Sequence, residues 1–560
     1  MADHSVSPDE MVAPVSDGER LRRVAREDFG WEHLRPGQLE AMTALLAGRD
    51  VLVGMPTGSG KSAIYQVTAA LADSITVVVS PLIALQRDQV AGIVGADDAP
   101  IPVAVNSALG AVRTARAWDD IVHHGAEYVF LAPEQLTKDD VLERLRCIGV
   151  SLLVVDEAHC ACSWGLDFRP DYLRLGAVRD RLGHPPILAL TATASPPVRR
   201  AIIDLLRLDD PVVVMRGFDR SNIRLEVTRC VRSADKRRAL LGRVSALDTP
   251  GLVYVATRKD TLRYSAWLTD RGMRAVAYHG GMRAAERSTI HDGFRGDRYD
   301  VVVATSAFGL GIDKPGVRFV VHEAISQSLD EYYQEIGRAG RDGAPATAVL
   351  FYRPEDLALR QLFAVHRAHP DLLRKVYCAL GSTPASARRL RAVLNLRNRT
   401  LISALNLLER AGAVLSAGTG FTATSTSAEA AVEAALHVAE VAERLDRSRT
   451  EMMRAYAETP HCRRQFLLGY LGEQLEVPCG NCDRCDSPSA MWSAGDPAFP
   501  LGGAVRHAVW GDGTIMRVDT DRITVLFDEY GYHTLSLDAL DRSGVLQQLG
   551  SRDTHVPADS

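Results

Sequence analysis

The chain has 560 residues, 46% of them hydrophobic and 24% charged, and a formal net charge of −5. At roughly 100–200 residues per domain this is material for about three to five domains, and no apolar run approaches the ~18 residues that a membrane-spanning helix needs. The acidic balance excludes a uniformly basic nucleic-acid coat, although a large body can still carry a local basic groove.

Residues 1–20 are polar and read as a disordered tail. Met1–Glu10 lacks the basic-then-apolar order of a signal peptide, so a cytoplasmic protein is expected. From 21 to 210 short apolar runs alternate with helical patterns, at Val51–Val53, Thr76–Ser80, Tyr128–Leu131, Leu152–Val155 and Ile187–Leu190. That alternation is the rhythm of a parallel sheet with crossover helices. It restarts over 211–368, with runs at Leu252–Ala256, Arg274–Tyr278, Val301–Ala304 and Phe319–Val321. Two tandem α/β domains are therefore expected.

The first run leads into Gly54-Met55-Pro56-Thr57-Gly58-Ser59-Gly60-Lys61-Ser62. Strand, glycine loop and helix start form a phosphate cradle, because glycines let backbone N–H groups turn toward the anion. Thr57, Gly58, Ser59 and Gly60 would line it, Lys61 would reach the β- and γ-phosphates, and Ser62 would hold Mg²⁺. Met55 stands where the generic loop has its first glycine. Asp156 and Glu157 end the fourth run. By itself an Asp-Glu pair is as often a solvated turn. Beside a phosphate loop, Asp156 is expected to position Mg²⁺ and Glu157 to orient and deprotonate the attacking water. The second domain has no phosphate loop of its own. Its Gln334–Gly343 stretch carries Arg338 and Arg341, read as sharing one helix face and suited to the γ-phosphate of a nucleotide on the first domain.

Residues 369–425 change to helix, turn, helix and hairpin, the outline of a winged helix, with Arg388, Arg389, Arg391, Arg397 and Arg399 placed for phosphate contact. A solvated helix pair is the plainer alternative. Residues 426–488 hold an Ala/Glu-rich helix and then Cys462, Cys479, Cys482 and Cys485. Four thiolates fill a tetrahedral Zn²⁺ site with no open position, so the metal is expected to be structural. The other five of the nine cysteines are scattered, and a disulfide framework is not expected in a cytosolic chain of this size. A linker at 489–500 precedes four short alternating runs within 501–550, read as a small β-barrel, and 551–560 is a polar tail.

Taken together, Gly58–Ser62, Asp156-Glu157-Ala158-His159, Thr191-Ala192-Thr193 and the Gln334…Arg338…Arg341 stretch resemble motifs I, II, III and VI of superfamily-2 helicases. Leu34–Gln38, Ser80–Leu85, Trp164–Pro170, Phe218–Arg224, Ala307–Pro315 and Tyr332-Tyr333-Gln334 resemble the RecQ family in particular, as does the spacing of the cysteines. The resemblance implies two RecA-like domains with ATP between them and a 3′ to 5′ DNA helicase of repair or recombination. It implies that Trp31 and Arg35 sandwich the adenine, that Gln38 bonds its edge, and that Gln334 and Asp313 join the nucleotide site. His159, Trp164, Phe168 and Arg169 would couple single-stranded DNA to hydrolysis, with Leu166 where the family has His. Single-stranded and forked DNA is the implied partner, and a monomer is expected. The chain departs from the family in placing its winged-helix segment before the zinc cysteines. Within the barrel, Val505–Ile515 resembles the Tudor-like tail of UvrD/PcrA-type helicases, a protein-interaction module. A barrel that binds nucleic acid, or only packs on the body, is the competing reading. A DNA-dependent translocase without productive unwinding is the alternative to a helicase.

Overall fold

The computed structural model describes residues 16–56, 58–81, 102–105, 111–123, 126–161, 170–193, 195–308, 314–357, 369–381, 383–417, 420–487, 499–500, 502–518 and 521–549. Thr57, Trp164, Leu166, Phe168, Arg169 and Asp313 lie outside the described residues, as do the Arg399 side chain, the 551–560 tail and most of the 489–500 linker.

The first domain is a seven-stranded parallel sheet. Its strands are β1 Val51–Gly54, β2 Ile75–Val79, β3 Pro102–Val105, β4 Tyr128–Leu131, β5 Val150–Val155, β6 Ile187–Thr191 and β7 Val212–Met215, in the order β3-β4-β2-β5-β6-β1-β7. β1, β2, β4 and β6 are buried along their whole length, which a parallel sheet covered on both faces requires. Leu52, Val77 and Leu153 face one core, and Val51, Val78 and Val154 the other. Topology places β5 and β1 on either side of β6, so the carboxylates and the phosphate loop leave neighbouring strand ends, where such sheets bind ligands.

Two expected boundaries move. β7 pairs with β1, so the first sheet extends past 210. β7 reads Val212-Val213-Val214-Met215, a continuous apolar run that follows Asp209-Asp210-Pro211, and at the sheet edge it leaves Val213 43% exposed. The N-terminal tail also gives way earlier than 20. Ser16 caps the helix Asp17–Glu27 in a reciprocal box with Glu19, and Leu21, Val24 and Ala25 are buried.

The second domain is a six-stranded parallel sheet of β8 Ile223–Arg229, β9 Gly251–Tyr254, β10 Ala275–Tyr278, β11 Val301–Ala304, β12 Phe319–His322 and β13 Ala346–Tyr352, in the order β10-β11-β9-β12-β13-β8. The helices Pro370–Cys378, Ala387–Leu394 and Asn398–Arg410 follow, then a hairpin of β14 Val414–Ala417 and β15 Gly420–Ala423. Ala385 bridges antiparallel to Phe421 and so adds a third short strand. Helix, strand, helix, helix, hairpin is the winged-helix order. Its core of Leu373, Leu390, Leu401 and Leu405 is closed by Ala431 and Val432 of the helix Ala428–Glu458. The helix Arg463–Leu471 leads to the cysteine loop.

The C-terminal unit is an antiparallel sheet of β16 Ala504–His507, β17 Gly511–Val518, β18 Arg522–Phe527, β19 Gly531–Ser536 and β20 Leu546–Gln548, in the order β19-β18-β17-β16-β20. Sequence pattern missed β20 and the helix Leu537–Ser543 before it. This sheet is seated on the body. Met516, Leu526 and Tyr532 are buried in the core that also holds Tyr456, Phe466 and Tyr470. No helix among the described residues is long and apolar enough to cross a membrane.

Candidate nucleotide site and zinc centre

The phosphate loop is shaped by Gly58 and Gly60, both at φ +81°, a region that side-chain-bearing residues rarely adopt. A Cβ on Gly60 would also lie 2.9 Å from Gln38 Nε2. Gln38 ties two segments together. Its Oε1 accepts from the Arg35 N–H at 2.7 Å and its Nε2 donates to the Gly60 carbonyl at 2.8 Å. Arg35 donates to the Gly58 carbonyl at 2.8 Å. Trp31 stacks on Phe29 with ring centroids 4.8 Å apart. Arg35 and Gln38 are therefore fastened to the phosphate loop, while Trp31 packs on Phe29.

Lys61 begins the helix Lys61–Ala69, and its ammonium donates to the Met55 and Pro56 carbonyls at 2.8 and 3.0 Å. Burial pushes its pKa below the ordinary lysine value, Glu157 and Asp156 pull it up, and Arg341 adds to the downward push. Phosphate oxygens are stronger acceptors than two carbonyls, so this ammonium is poised to move onto an anion entering the loop. Asp156 is buried at the end of β5, and the Tyr172 hydroxyl donates to its carbonyl at 3.1 Å. Glu157 sits at φ +49°, which is strained for a side-chain-bearing residue and marks a constrained functional turn. His159 Nδ1 lies 3.3 Å from Glu157 Oε2 and 3.1 Å from Thr191 Oγ1. The Thr191 hydroxyl donates in turn to the Thr193 carbonyl at 2.6 Å.

The two arginines do not share a helix face. The helix Leu329–Ile336 stops before Arg338, and Gly340 turns the chain at φ +57°. Arg338 is 5% exposed, packed within the second domain beside the Tyr254 hydroxyl. Arg341 is the one that crosses. Its Cδ lies 3.8 Å from where a Gly58 Cβ would stand. Gln334 is half-buried on the 329–336 helix.

Two residues of the Phe218–Arg224 segment, given no role from sequence, hold the arginine loop. Arg220 donates to the Gly337, Ala339 and Gly340 carbonyls at 3.2, 2.9 and 2.9 Å. Asn222 donates to the Gly340 and Ala344 carbonyls at 2.8 and 2.9 Å. The backbone of the same segment is bonded to the cysteine module. Arg464 donates to the Ser221 and Ile223 carbonyls at 3.3 and 2.5 Å, Asn481 to the Ser221 carbonyl at 2.9 Å, and Leu225 bridges Cys482.

The ligand atoms of Cys462, Cys479, Cys482 and Cys485 all lie within 4.8 Å of one another. Cys482 and Cys485 Sγ are 3.5 Å apart and Cys479 and Cys485 Sγ are 3.9 Å apart. A tetrahedral zinc with bonds of ~2.3 Å separates its sulfurs by about 3.8 Å, so the cluster fits the metal. Behind it, Arg463 is 1% exposed and makes a paired contact with Asp483 at 2.5 and 2.9 Å. Arg463→Ala leaves that pairing broken in a buried site, and a loss of about 3 kcal/mol in unfolding free energy is expected, read by denaturant titration of the zinc-loaded protein.

The winged helix touches the first domain. Arg174 approaches Glu409 at 3.5 Å and lies over the Phe421 ring at 5.8 Å. Burial raises the Glu409 pKa, and Arg174 opposes that rise. Arg388, Arg389, Arg391 and Arg397 are exposed.

Two parallel sheets, a phosphate loop, strand-end carboxylates and an arginine delivered across the cleft define a two-domain, ATP-hydrolysing helicase motor. Family models agree piece by piece. Residues 35–201 match the DEAD/DEAH box helicase model, 235–343 the helicase conserved C-terminal domain, and 427–486 the RecQ zinc-binding module. The chain is 34% identical over 471 residues to a probable ATP-dependent DNA helicase RecS of Bacillus subtilis, covering 83% of this chain and 91% of that one. It is 34% identical over 469 residues to the ATP-dependent DNA helicase RecQ of Pasteurella multocida, covering 83% of this chain and 62% of the other. The fold is also that of the DUF1998 helicase MrfA, solved bound to DNA, at a TM-score of 0.51 and 15% identity over 75% of this chain and 64% of that one. This chain belongs to the RecQ family of ATP-dependent DNA helicases. The winged-helix insert at 369–425 and the C-terminal sheet lie outside all three family matches.

Proposed function

We propose that this helicase is a cytoplasmic monomer that moves 3′ to 5′ along single-stranded DNA and opens forked duplexes during repair or recombination. The supporting observation is the Arg341 side chain lying against the phosphate loop of the other domain. ATP would enter between the sheets, with Trp31, Arg35 and Gln38 on the base and Gly58–Ser62 on the phosphates. Mg²⁺, held by Ser62 and Asp156, would neutralise phosphate charge. Glu157, oriented by His159, takes the proton of the attacking water, and Arg341 meets the charge that develops on the γ-phosphoryl group. Asp313 and Gln334 complete the nucleotide side. His159, Trp164, Phe168 and Arg169 are assigned to single-stranded DNA, where stacking faces and a cation suit successive bases. Arg397 and Arg399 are assigned to duplex phosphates.

Lys61→Ala is expected to lower single-stranded-DNA-stimulated ATP hydrolysis by about 10²–10³-fold, the usual cost of losing one electrostatic stabiliser. Steady-state phosphate release with and without oligonucleotide measures it. Turnover that survives the substitution would move the chemistry elsewhere. A translocase without productive strand separation is the second reading. It is favoured by the winged helix lying ahead of the zinc module and against Arg174.

A further inference from the structure

Four parts of the molecule meet at one half-buried carboxylate. Asp330 lies in the first turn of the helix Leu329–Ile336, which leads into Arg338 and Arg341. Its Oδ1 accepts from the backbone N–H of Ser195 in the first domain at 3.4 Å. Its Oδ2 accepts from the Tyr470 hydroxyl of the zinc-module helix at 2.5 Å. Tyr532, from β19 of the C-terminal sheet, packs tilted beside Tyr470 with ring centroids 5.5 Å apart, and its hydroxyl faces Ser195 and Tyr470. Ser195, Tyr470 and Tyr532 are 0, 2 and 8% exposed. Burial, and then Asp330 itself, pushes the Tyr470 pKa well above its ordinary value, so this hydroxyl stays a donor.

Both segments that Asp330 joins serve the nucleotide. Ser195 stands two residues past Thr193, in the turn whose Thr191 hydroxyl contacts His159, which in turn contacts Glu157. Helix 329–336 continues into the loop that carries Arg341 to Gly58. The base and the arginine must be correctly placed in the same instant, and a sub-ångström misplacement between them is costly in rate. A half-buried carboxylate whose partners Ser195 and Tyr470 are both buried fixes the separation of the two domains at that point. A water-exposed pair would not, because solvent competes for each bond.

We propose that Asp330 is a positioning residue that locks the helix Leu329–Ile336, whose following loop carries Arg341, to Ser195 just past the Thr191–Thr193 turn when the cleft closes. Tyr470 holds its carboxylate in place and Tyr532 packs against Tyr470, so the zinc module and the C-terminal sheet are working parts of the motor. The sheet is anchored for this task by Met516, Leu526 and Tyr532 in the shared core, and by Gly531, where a Cβ would lie 2.2 Å from Ser448 Oγ. Its primary role is therefore internal, whatever else its outer surface contacts.

The test uses full-length Asp330→Asn, Tyr470→Phe and Tyr532→Phe proteins, each checked for zinc content and melting temperature. Asp330→Asn is expected to lower the DNA-stimulated kcat about tenfold with KM for ATP within about twofold of wild type, the mark of a contact made in the transition state. Tyr470→Phe is expected to fall in the same direction by a smaller factor, and Tyr532→Phe to fall least. The Asp330→Asn/Tyr470→Phe double variant should be no slower than Asp330→Asn alone, since both act through one carboxylate. Lys61→Ala in parallel separates failure of the ATPase reading from failure of this one. A kcat within about twofold of wild type for Asp330→Asn overturns the proposal. So does a slower enzyme whose KM rises in step, or one that has lost zinc, because those results describe a structural contact only.

Discussion

Arg341→Ala is expected to lower the DNA-stimulated kcat about 10³-fold while KM for ATP stays close to wild type, as for an arginine acting on transition-state charge. The expectation rests on where the side chain lies. Arg341 comes from the second domain yet packs against the phosphate-loop position of Gly58, near enough to Lys61 to depress its pKa. Arg338, three residues earlier, is buried within its own domain. Arg338→Ala should therefore act on folding, lowering the melting temperature and reducing kcat only as far as the second domain loosens. Steady-state kinetics of the two variants, read beside their thermal melts, separates the roles. Equal kinetic losses with unchanged melts would restore the symmetric pair expected from sequence.

Loss of the metal is the second large effect. Structural zinc contributes on the order of 10 kcal/mol of folding free energy in small domains. Cys482→Ser removes a buried ligand whose backbone bridges Leu225. The damage is not confined to the cysteine loop. Residues 221–225 carry bonds to Arg464 and Asn481 on one side, while Arg220 and Asn222 clamp the arginine loop on the other. Cys482→Ser is thus expected to lower zinc content, to melt the second domain with the module, and to depress ATP hydrolysis although Cys482 belongs to a separate module from the phosphate loop. Metal analysis with ATPase assay tests this. Full hydrolysis by zinc-free protein would show that the two sites are independent.

Local signals in the chain were legible and distant ones were not. The phosphate loop, Asp156-Glu157 and the cysteine spacing are contiguous or nearly so, and each residue type is demanded by its chemistry. The helices and hairpin of 369–425 were legible too, since their apolar residues repeat at helical spacing. The first-domain boundary was set at the Asp209-Asp210-Pro211 break, but the apolar run just after it, β7, returns to pair with β1 of the first sheet, and local sequence does not say which sheet a run joins. The shared helix face of Arg338 and Arg341 failed because glycine at 340 takes a left-handed turn that spacing alone does not reveal. Asp330, Ser195, Tyr470 and Tyr532 had no signal at all. Asp330 lies 135 and 140 positions from its two bonded partners, and only the packed fold brings them together.

The central claim is that closure of one cleft, with Arg341 and Glu157 on a single nucleotide, is spent on separating DNA strands. The most direct measurement is strand release from a forked duplex with a 3′ single-stranded arm, followed in parallel with phosphate release. Release that requires ATP, fails with a non-hydrolysable analogue and disappears in Arg341→Ala is the predicted result. Brisk DNA-stimulated ATP hydrolysis with no strand release would contradict it and leave a translocase.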